Sequence, residues 1–454
     1  LRAYIVVDLG FGDSGKGLLT DFLVRHFRAG VVVRYNGGAQ AGHNVVTPAG
    51  YHHTFAQFGS GTFVPGVRTY LSRHVVVHPT ALLAEGDILR QKGIHDAFSR
   101  LRLSEDALVI TPYHQAANRI REKARGQNRH GSCGVGVGEA VDDARSHPED
   151  RVLAGDLLHP AALRNKILRI RKNKYEQVIA LWGNSVTDLQ TAREFEIFRH
   201  DEVIDTWMAS IARIRDLGLV ASDQVLNQWL HETEAVVFEG AQGVLLDAQV
   251  GFHPYTTWSC CTPQNAIELI GGMNPNSQIF RIGVMRVFAM RHGPGPLPTE
   301  NDVFTPIISE HNGYGEWQGA VRYGWFDAVL ARYALTMSGG VDACVLTHMD
   351  ALGKLEAWKY CPGYEGMPDL GGTSIESDIS NGILTGFSAP HDLPLAEREK
   401  LTRALLGVKP VLETCSPDDR QVIRKIESLL GQSVNIVSRG PTAEHVQILG
   451  SIPQ

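Results

Sequence analysis

Residues 4–17 read Tyr4-Ile5-Val6-Val7-Asp8-Leu9-Gly10-Phe11-Gly12-Asp13-Ser14-Gly15-Lys16-Gly17. A short β-branched apolar run gives way to a glycine-rich loop, and a helix-like segment follows over residues 18–27. The spacing Gly10-x4-Gly15-Lys16 fits a phosphate loop up to its last position. Glycines let backbone N–H groups approach an anion, a helix start adds positive potential, and Lys16 adds a point charge. Gly17 stands where a magnesium-binding hydroxyl is usual, and Asp13 sits inside the loop. A carboxylate there suits magnesium binding or proton abstraction.

The same alternation runs outward along the chain. Apolar, β-branched runs recur at 31–34, 75–77, 108–110, 178–181, 235–238, 282–286, 343–346 and 434–437. Helix-like segments fall between many of them, at 116–124, 202–217, 325–337 and 420–430. Buried strands alternating with amphipathic helices predict an α/β fold: a large, mostly parallel central sheet flanked by helices. No linker or repeat divides residues 1–454, so one domain is expected. Its least regular part is a surface excursion at about 360–394, rich in Gly, Pro, Ser and Asp.

Composition narrows the function classes. Hydrophobic residues make up 43% of the 454, enough for a sizeable core and too many for a disordered chain. No run approaches 18 uncharged apolar residues, so no membrane span is expected. The amino terminus lacks the regions of a signal peptide. Lys and Arg number 43 against 49 Asp and Glu, a net charge of -6, which argues against a chain-wide nucleic-acid binder. Arg164, Lys166, Arg169, Arg171, Lys172 and Lys174 form a basic cluster on an expected helix, read first as a solvated face. Six scattered cysteines with no C-x-x-C predict neither a disulfide framework nor a structural zinc site, and place the chain in a reducing cytoplasm.

A second glycine-rich loop, Arg34-Tyr35-Asn36-Gly37-Gly38-Ala39-Gln40-Ala41-Gly42-His43-Asn44, again follows an apolar run. It ends in His43, a candidate general acid. At this point the chain resembles the adenylosuccinate synthetase family, whose members carry G-D-E-G-K-G and R-Y-x-G-G-x-N-A-G-H at this spacing. Tyr113-His114 with residues 121–126, Phe238-Glu239-Gly240-Ala241-Gln242-Gly243-Val244-Leu245-Leu246-Asp247, the stretch from Gly293 to Glu300, Gly324-Trp325-Phe326-Asp327, Thr347-His348-Met349-Asp350 and Gly440-Pro441 follow in family order.

The resemblance implies a homodimeric ligase that joins a 6-oxopurine nucleotide, IMP, to aspartate with cleavage of GTP, using magnesium. Asp13 would be the base and a magnesium ligand, with the Gly42 carbonyl as a further ligand. His43 would be the acid, Lys16 would hold phosphates, and Gln242 would orient the purine oxygen. Gly12, Gly15, Lys16, Gly17, His348, Asp350, Gly440 and Pro441 would bind GTP. Asp13, Gln40, Ser132, Cys133, Gln242, Leu246 and Thr257 would bind the purine nucleotide. Arg145 and Arg151 are both candidates for the arginine donated across the dimer.

Four departures bear on the site. Ser14 stands where the family has Glu, Gln40 where it has Asn, Cys133 where it has a phosphate-contacting Thr, and His348 where it has Lys. The largest departure is the amine-donor loop, which reads Gly315-Glu316-Trp317-Gln318-Gly319-Ala320-Val321-Arg322 here. Trp317 and Gln318 replace two Thr, Ala320 aligns with an Arg, and Arg322 remains to meet a carboxylate, with Glu316 repelling it if turned inward. A dicarboxylate needs several charge-assisted bonds of about 1.5–3 kcal/mol each, so losing most of them should weaken aspartate binding by orders of magnitude. The phosphoryl machinery thus reads as kept and the amine-donor pocket as rebuilt. The first reading is a ligase making adenylosuccinate or a close relative. A second keeps the phosphoryl activation but takes another amine or purine nucleotide. A third is a nucleotide-binding subunit without turnover.

Overall fold

The computed structural model describes residues 1–182, 188–308, 317–368 and 370–452. Ten strands form the main sheet in the order Val446–Ile448, Val434–Ser438, Ala343–Thr347, Gln278–Arg286, Arg2–Asp8, Ala235–Glu239, Val31–Arg34, Arg68–Leu71, Leu101–Ser104 and Val220–Ala221. Every pairing is parallel except the edge pair Val434–Ser438 with Val446–Ile448. The α/β expectation holds.

Strand Arg2–Asp8 lies near the middle because both its faces are apolar. Ala3, Ile5 and Val7 enter one core cluster while Tyr4 and Val6 enter another. Such double-sided burial is what a parallel sheet between helices demands. Its neighbours are Ala235–Glu239 and Gln278–Arg286, strands far away in the chain. The order of strands thus reverses around it, and ligands of open α/β sheets bind outside the carboxyl ends at such points.

A second sheet has Phe288–His292, Val321–Asp327, Trp358–Glu365, Ile383–Ser388 and Glu376–Ser380 in order, with Lys409–Cys415 paired to Trp358–Glu365. The expected irregular excursion at 360–394 is corrected here: much of it is strand in this sheet. Residues 325–327, expected as helix, end strand Val321–Asp327, and the helix begins at Ala328 because the Asp327 side chain caps Val329 and Leu330 N–H. Residues 178–181, expected as a strand, are the last turns of the helix Pro160–Trp182, where Val178 alone of the four is fully buried. Residues 76–77 and 108–109 do form strands, but pair with each other outside the main sheet.

The basic cluster lies on that helix, and acids answer it. Arg164 pairs with Asp205, Lys166 with Asp156, Arg169 with Asp150 and Arg171 with Asp201, while Lys174 is buried 2.7 Å from both Glu139 and Asp143. A neutralised face offers little to a nucleic-acid backbone. No helix among the described residues is long and apolar enough to cross a membrane.

Candidate active site

The carboxyl end of the sheet gathers the motifs. The loop after Arg2–Asp8 wraps over it and enters helix Lys16–Phe27 with its first N–H groups unspent, as at any helix start. Gly243 fixes this loop against the turn after Ala235–Glu239: a Cβ there would lie 2.2 Å from the Gly10 carbonyl and 2.5 Å from the Gly12 nitrogen. Asn36 ties in the second loop, accepting from Ala241 N at 2.6 Å and donating to its carbonyl at 2.9 Å. Thr347 donates to the Ser14 carbonyl at 2.8 Å, joining strand Ala343–Thr347 to the loop. Five non-glycine residues among those described have positive φ, and Asp13, Gln242 and His348 are three of them. Backbone strain of about 1–3 kcal/mol at each is held in place by these cross-loop bonds.

His43 begins the hairpin strand His43–Val46 and packs beside Gly17. Its Nδ1 lies 2.6 Å from Glu239 Oε1. Glu239 is fully buried, and also accepts from Ser60 N at 2.9 Å and from the Ser60 hydroxyl. Burial presses the Glu239 carboxyl upward, but Arg34, His43 and Ser60 outweigh it and hold it below its usual range. Burial, together with Arg34 and Lys16, draws His43 below the usual histidine value against the pull of Glu239. The resting pair is therefore a carboxylate accepting Nδ1–H from a neutral imidazole, with Nε2 left for a ligand. Glu239 lies within the motif Phe238–Asp247, where no role was expected of it. The available signal was an acidic residue closing an otherwise apolar strand.

Asp13 faces His292, whose Nε2 is 2.7 Å from Asp13 Oδ2. Arg286 donates Nε to the Asp13 carbonyl at 2.6 Å, and its Nη2 donates to the same oxygen. Desolvation alone would raise the Asp13 carboxyl; the His292 hydrogen bond and the charges of His292, Lys16 and Arg286 hold it far below the ordinary carboxylate value. Neither His292 nor Arg286 was singled out in the sequence, because both arrive from strands more than 270 residues away in the chain.

Lys16 is buried and its ammonium lies 2.7 Å from Asp8 Oδ2, so in the resting site the cation points at a carboxylate. Gln242 stands next to Gly37, and Gln40 next to Gly38. The Oε1 atoms of both glutamines are buried without a hydrogen-bond partner among the described residues. Each unsatisfied acceptor calls for a donor-bearing ligand. Thr257 N bonds the Leu246 carbonyl at 2.7 Å, which sets these two purine-site candidates together.

Helix Pro112–Ala124 carries the loop of Ser132 and Cys133. Asn118 donates to the Ser132 hydroxyl at 2.9 Å, Arg119 to the Gly134 carbonyl at 2.9 Å, and Glu122 accepts from Gly131 N. Burial pushes the Cys133 thiol up to about 11, so it stays uncharged where an anionic phosphate is expected.

Trp317 covers this loop, with the Arg119 and Lys123 cations 5.5 and 5.7 Å from its ring. Gln318 presents its carbonyl between Gly131 and Gly293. Arg322 is already engaged: it donates to Glu300 at 2.7 Å, to the Gly293 carbonyl at 3.0 Å and to the Gly295 carbonyl at 2.7 Å. Gly315 and Glu316 lie outside the described residues. On the far side, His348 accepts or donates at Nδ1 with Thr347 Oγ1, 3.0 Å away, and sets its ring edge-to-face on Phe288. Burial and Arg286 keep that imidazole well below its usual value. Asp350 is exposed, and Gly440 packs on the His445 ring.

A sequence profile described as Adenylosuccinate synthetase matches residues 5–447. The chain is 32% identical over 451 residues to "Adenylosuccinate synthetase" of Neisseria meningitidis serogroup C (strain 053442), covering 98% of each. It is 31% identical over 463 residues to the protein of that name from Mycobacterium leprae, covering 97% of this chain and 96% of the relative. Among solved structures, fully ligated adenylosuccinate synthetase from Plasmodium falciparum superposes with TM-score 0.75 at 21% identity, covering 99% of this chain and all of that one. The cyanophage S-2L succinoaminodeoxyadenylate synthetase PurZ, bound to dGMP and dATP as an energy donor, shares the fold at TM-score 0.58 and 18% identity, covering 98% of this chain and 95% of that one. End to end, at more than 30% identity and with its loops assembled at the switch point of the sheet, the chain belongs to the adenylosuccinate synthetase family.

Proposed function

We propose that Asp13 and the His43–Glu239 pair carry the two proton-handling roles of a GTP-dependent carbon–nitrogen ligase that makes adenylosuccinate from IMP and aspartate. Family membership along the whole chain favours this over a paralogue with another amine donor or a subunit without turnover. The observation that carries the assignment is the placement of both groups around one phosphate loop, each held by a side chain from a strand distant in sequence.

The purine lactam enters beside Gln242, whose unsatisfied Oε1 lies next to Gly37. Asp13 takes the N1 proton, and electron density moves to O6. That oxygen attacks the γ-phosphorus of GTP, the bond to the bridging oxygen breaks, and GDP leaves. The amine of aspartate then attacks C6 and displaces inorganic phosphate carrying the former O6. In the free protein Asp13 is ionised but too acidic to be a strong base. Substrate that takes Oδ2 from His292 removes the contact that depresses it and raises its basicity. His43, neutral at rest, gains a proton as phosphate charge arrives and donates it through Nε2, while Glu239 stabilises the imidazolium.

Magnesium fits these residues. One Asp13 oxygen is held by His292 and the other carries no hydrogen bond among the described residues, and the Gly42 carbonyl ends the neighbouring loop. No group of three or more His, Cys, Asp or Glu converges as a metal site among the described residues. A sparse donor set is what Mg2+ takes when phosphates and waters complete its shell. The ion would neutralise phosphate charge, held by Asp13 and Gly42.

Lys16, Gly12, Gly15 and Gly17 line the GTP phosphate site, and His348, Asp350, Gly440 and Pro441 the guanine side. Gln40, Ser132, Cys133, Leu246 and Thr257 surround IMP. Trp317, Gln318 and Arg322 border the amine donor. The protein works as a cytoplasmic homodimer. Its six cysteines are free, and exposed Trp258, next to Thr257, has the Arg145 guanidinium 5.5 Å from its ring.

The test is turnover with IMP, GTP and magnesium, with and without aspartate, following phosphate and the purine product. Adenylosuccinate formed only with aspartate supports the proposal, and Asp13→Asn abolishes it. Full activity in folded Asp13→Asn refutes the base assignment.

A further inference from the structure

Asp8 closes strand Arg2–Asp8 and is 2% exposed. Its two oxygens take four hydrogen bonds, all from the phosphate loop. Oδ1 accepts from Gly10 N and the Ser14 hydroxyl, each at 2.9 Å. Oδ2 accepts from Ser14 N at 3.0 Å and from the Lys16 ammonium at 2.7 Å. That is the full capacity of an ionised carboxylate. The Lys16 side chain is 2% exposed, so the pair is sealed from water.

The position of this carboxylate matters because of what stands at 14. The family motif G-D-E-G-K-G places an acid there, where this chain has Ser14, and the Ser14 hydroxyl is bonded to Asp8. We infer that Asp8 is a positioning residue for GTP, supplying from the strand the loop carboxylate that the motif carries at position 14, and so setting Lys16 and the Ser14 turn to meet the terminal phosphates. The inference rests on reading this loop as the GTP phosphate site.

A lysine enclosed by protein without a counter-charge turns outward or loses its proton. Asp8 keeps Lys16 folded inward until phosphate oxygens compete for the ammonium. Asp8 also consumes the Gly10 and Ser14 amides, so the loop holds its curvature without an anion. The amides that begin helix Lys16–Phe27 stay free for one. Asp8 touches no reacting atom; it acts through Lys16 and the loop.

The experiment exchanges the two side chains. Because Ser14 Oγ and Asp8 Oδ1 share one hydrogen bond, Asp8→Ser combined with Ser14→Asp returns the carboxylate to the motif position and keeps a hydroxyl opposite it. Steady-state rates are measured against GTP and against IMP for the wild type, Asp8→Ser, the double exchange and Lys16→Ala, each checked by thermal melting. Asp8→Ser should lower kcat/KM for GTP about a hundredfold while KM for IMP moves less than about threefold, and the exchange should recover to within about tenfold of wild type.

The inference is overturned if folded Asp8→Ser keeps its GTP kinetics while Lys16→Ala loses them. It is also overturned if the exchange restores melting without restoring GTP use, or if neither variant folds, since Asp8 then serves the fold alone. If Lys16→Ala itself leaves GTP kinetics unchanged, the phosphate-loop reading has failed, and the inference with it.

Discussion

Glu239→Gln is the most informative single change, because it keeps the shape of the His43 partner and deletes only its charge. Nδ1 and Oε1 are 2.6 Å apart, and the charge centres of an imidazolium and a carboxylate in that contact lie about 4 Å apart. At an effective dielectric of about 20 their attraction is worth about 4 kcal/mol. The glutamine carbonyl still accepts Nδ1–H, so about 2–3 kcal/mol is lost from the step that needs protonated His43, or about 30- to 150-fold in kcat. The sign of the pH effect follows from the same pair. Glu239 raises the His43 value against burial and Arg34, so removing its charge lowers that value further. Less of the imidazole is then protonated, so from low pH up to pH 8 the deficit in kcat first grows, as pH passes the depressed wild-type value, and then holds constant. The new amide also sets N–H against Ser60 N–H or leaves it unpaired, so the melting temperature falls as well. The assay is phosphate release at saturating IMP, GTP and aspartate across that pH range. A folded variant with unchanged kcat, or a deficit that shrinks as pH rises, refutes the acid role of His43.

Other outcomes follow from the same geometry. His292→Leu removes the hydrogen bond that helps hold Asp13 far below its ordinary value, so the acid limb of the pH profile of kcat/KM should move to higher pH, with His292→Gln moving it less, as read in steady-state kinetics. Gly243→Ala drives a methyl into the Gly10 carbonyl and Gly12 nitrogen; GTP kcat/KM should collapse while the melting temperature changes little, since the clash is relieved by moving the loop. The buried Asp327 carboxyl is pushed by burial from 3.8 to about 6. A proton is thus held more tightly in the folded state, so ionisation costs stability above that value, up to about 3 kcal/mol, and the cost disappears below the unfolded value. Asp327→Asn should therefore melt higher than wild type at pH 8, and the gain should vanish by pH 4.

The loops that carry the chemistry were legible because their signal is local. Strand, glycine turn and helix start lie within residues 4–27, and His43 closes a loop of the same kind. Their partners were not legible. Glu239 is 196 residues from His43 and His292 is 279 from Asp13, so only the strand order brings them together. Asp8 reads as the end of an apolar run until its oxygens are seen to bind Ser14 and Lys16. Residues 178–181 failed as a strand because a short apolar run has no period of its own, and here it continues a helical face. The second sheet escaped notice because its strands sit among glycines, prolines and polar residues, and Trp358–Glu365 finds its partner at Lys409–Cys415. Arg322, expected to await a carboxylate, is held by Glu300 and two carbonyls of the glycine turn beside it.

The central claim is that Asp13 frees O6 of the purine to take the phosphoryl group. Turnover of IMP labelled with oxygen-18 at O6, with unlabelled GTP and aspartate, tests it most directly by mass analysis of the phosphate released. Inorganic phosphate carrying one heavy oxygen per adenylosuccinate formed, lost together with product in Asp13→Asn, is the expected result. Product formation with unlabelled phosphate would contradict the account.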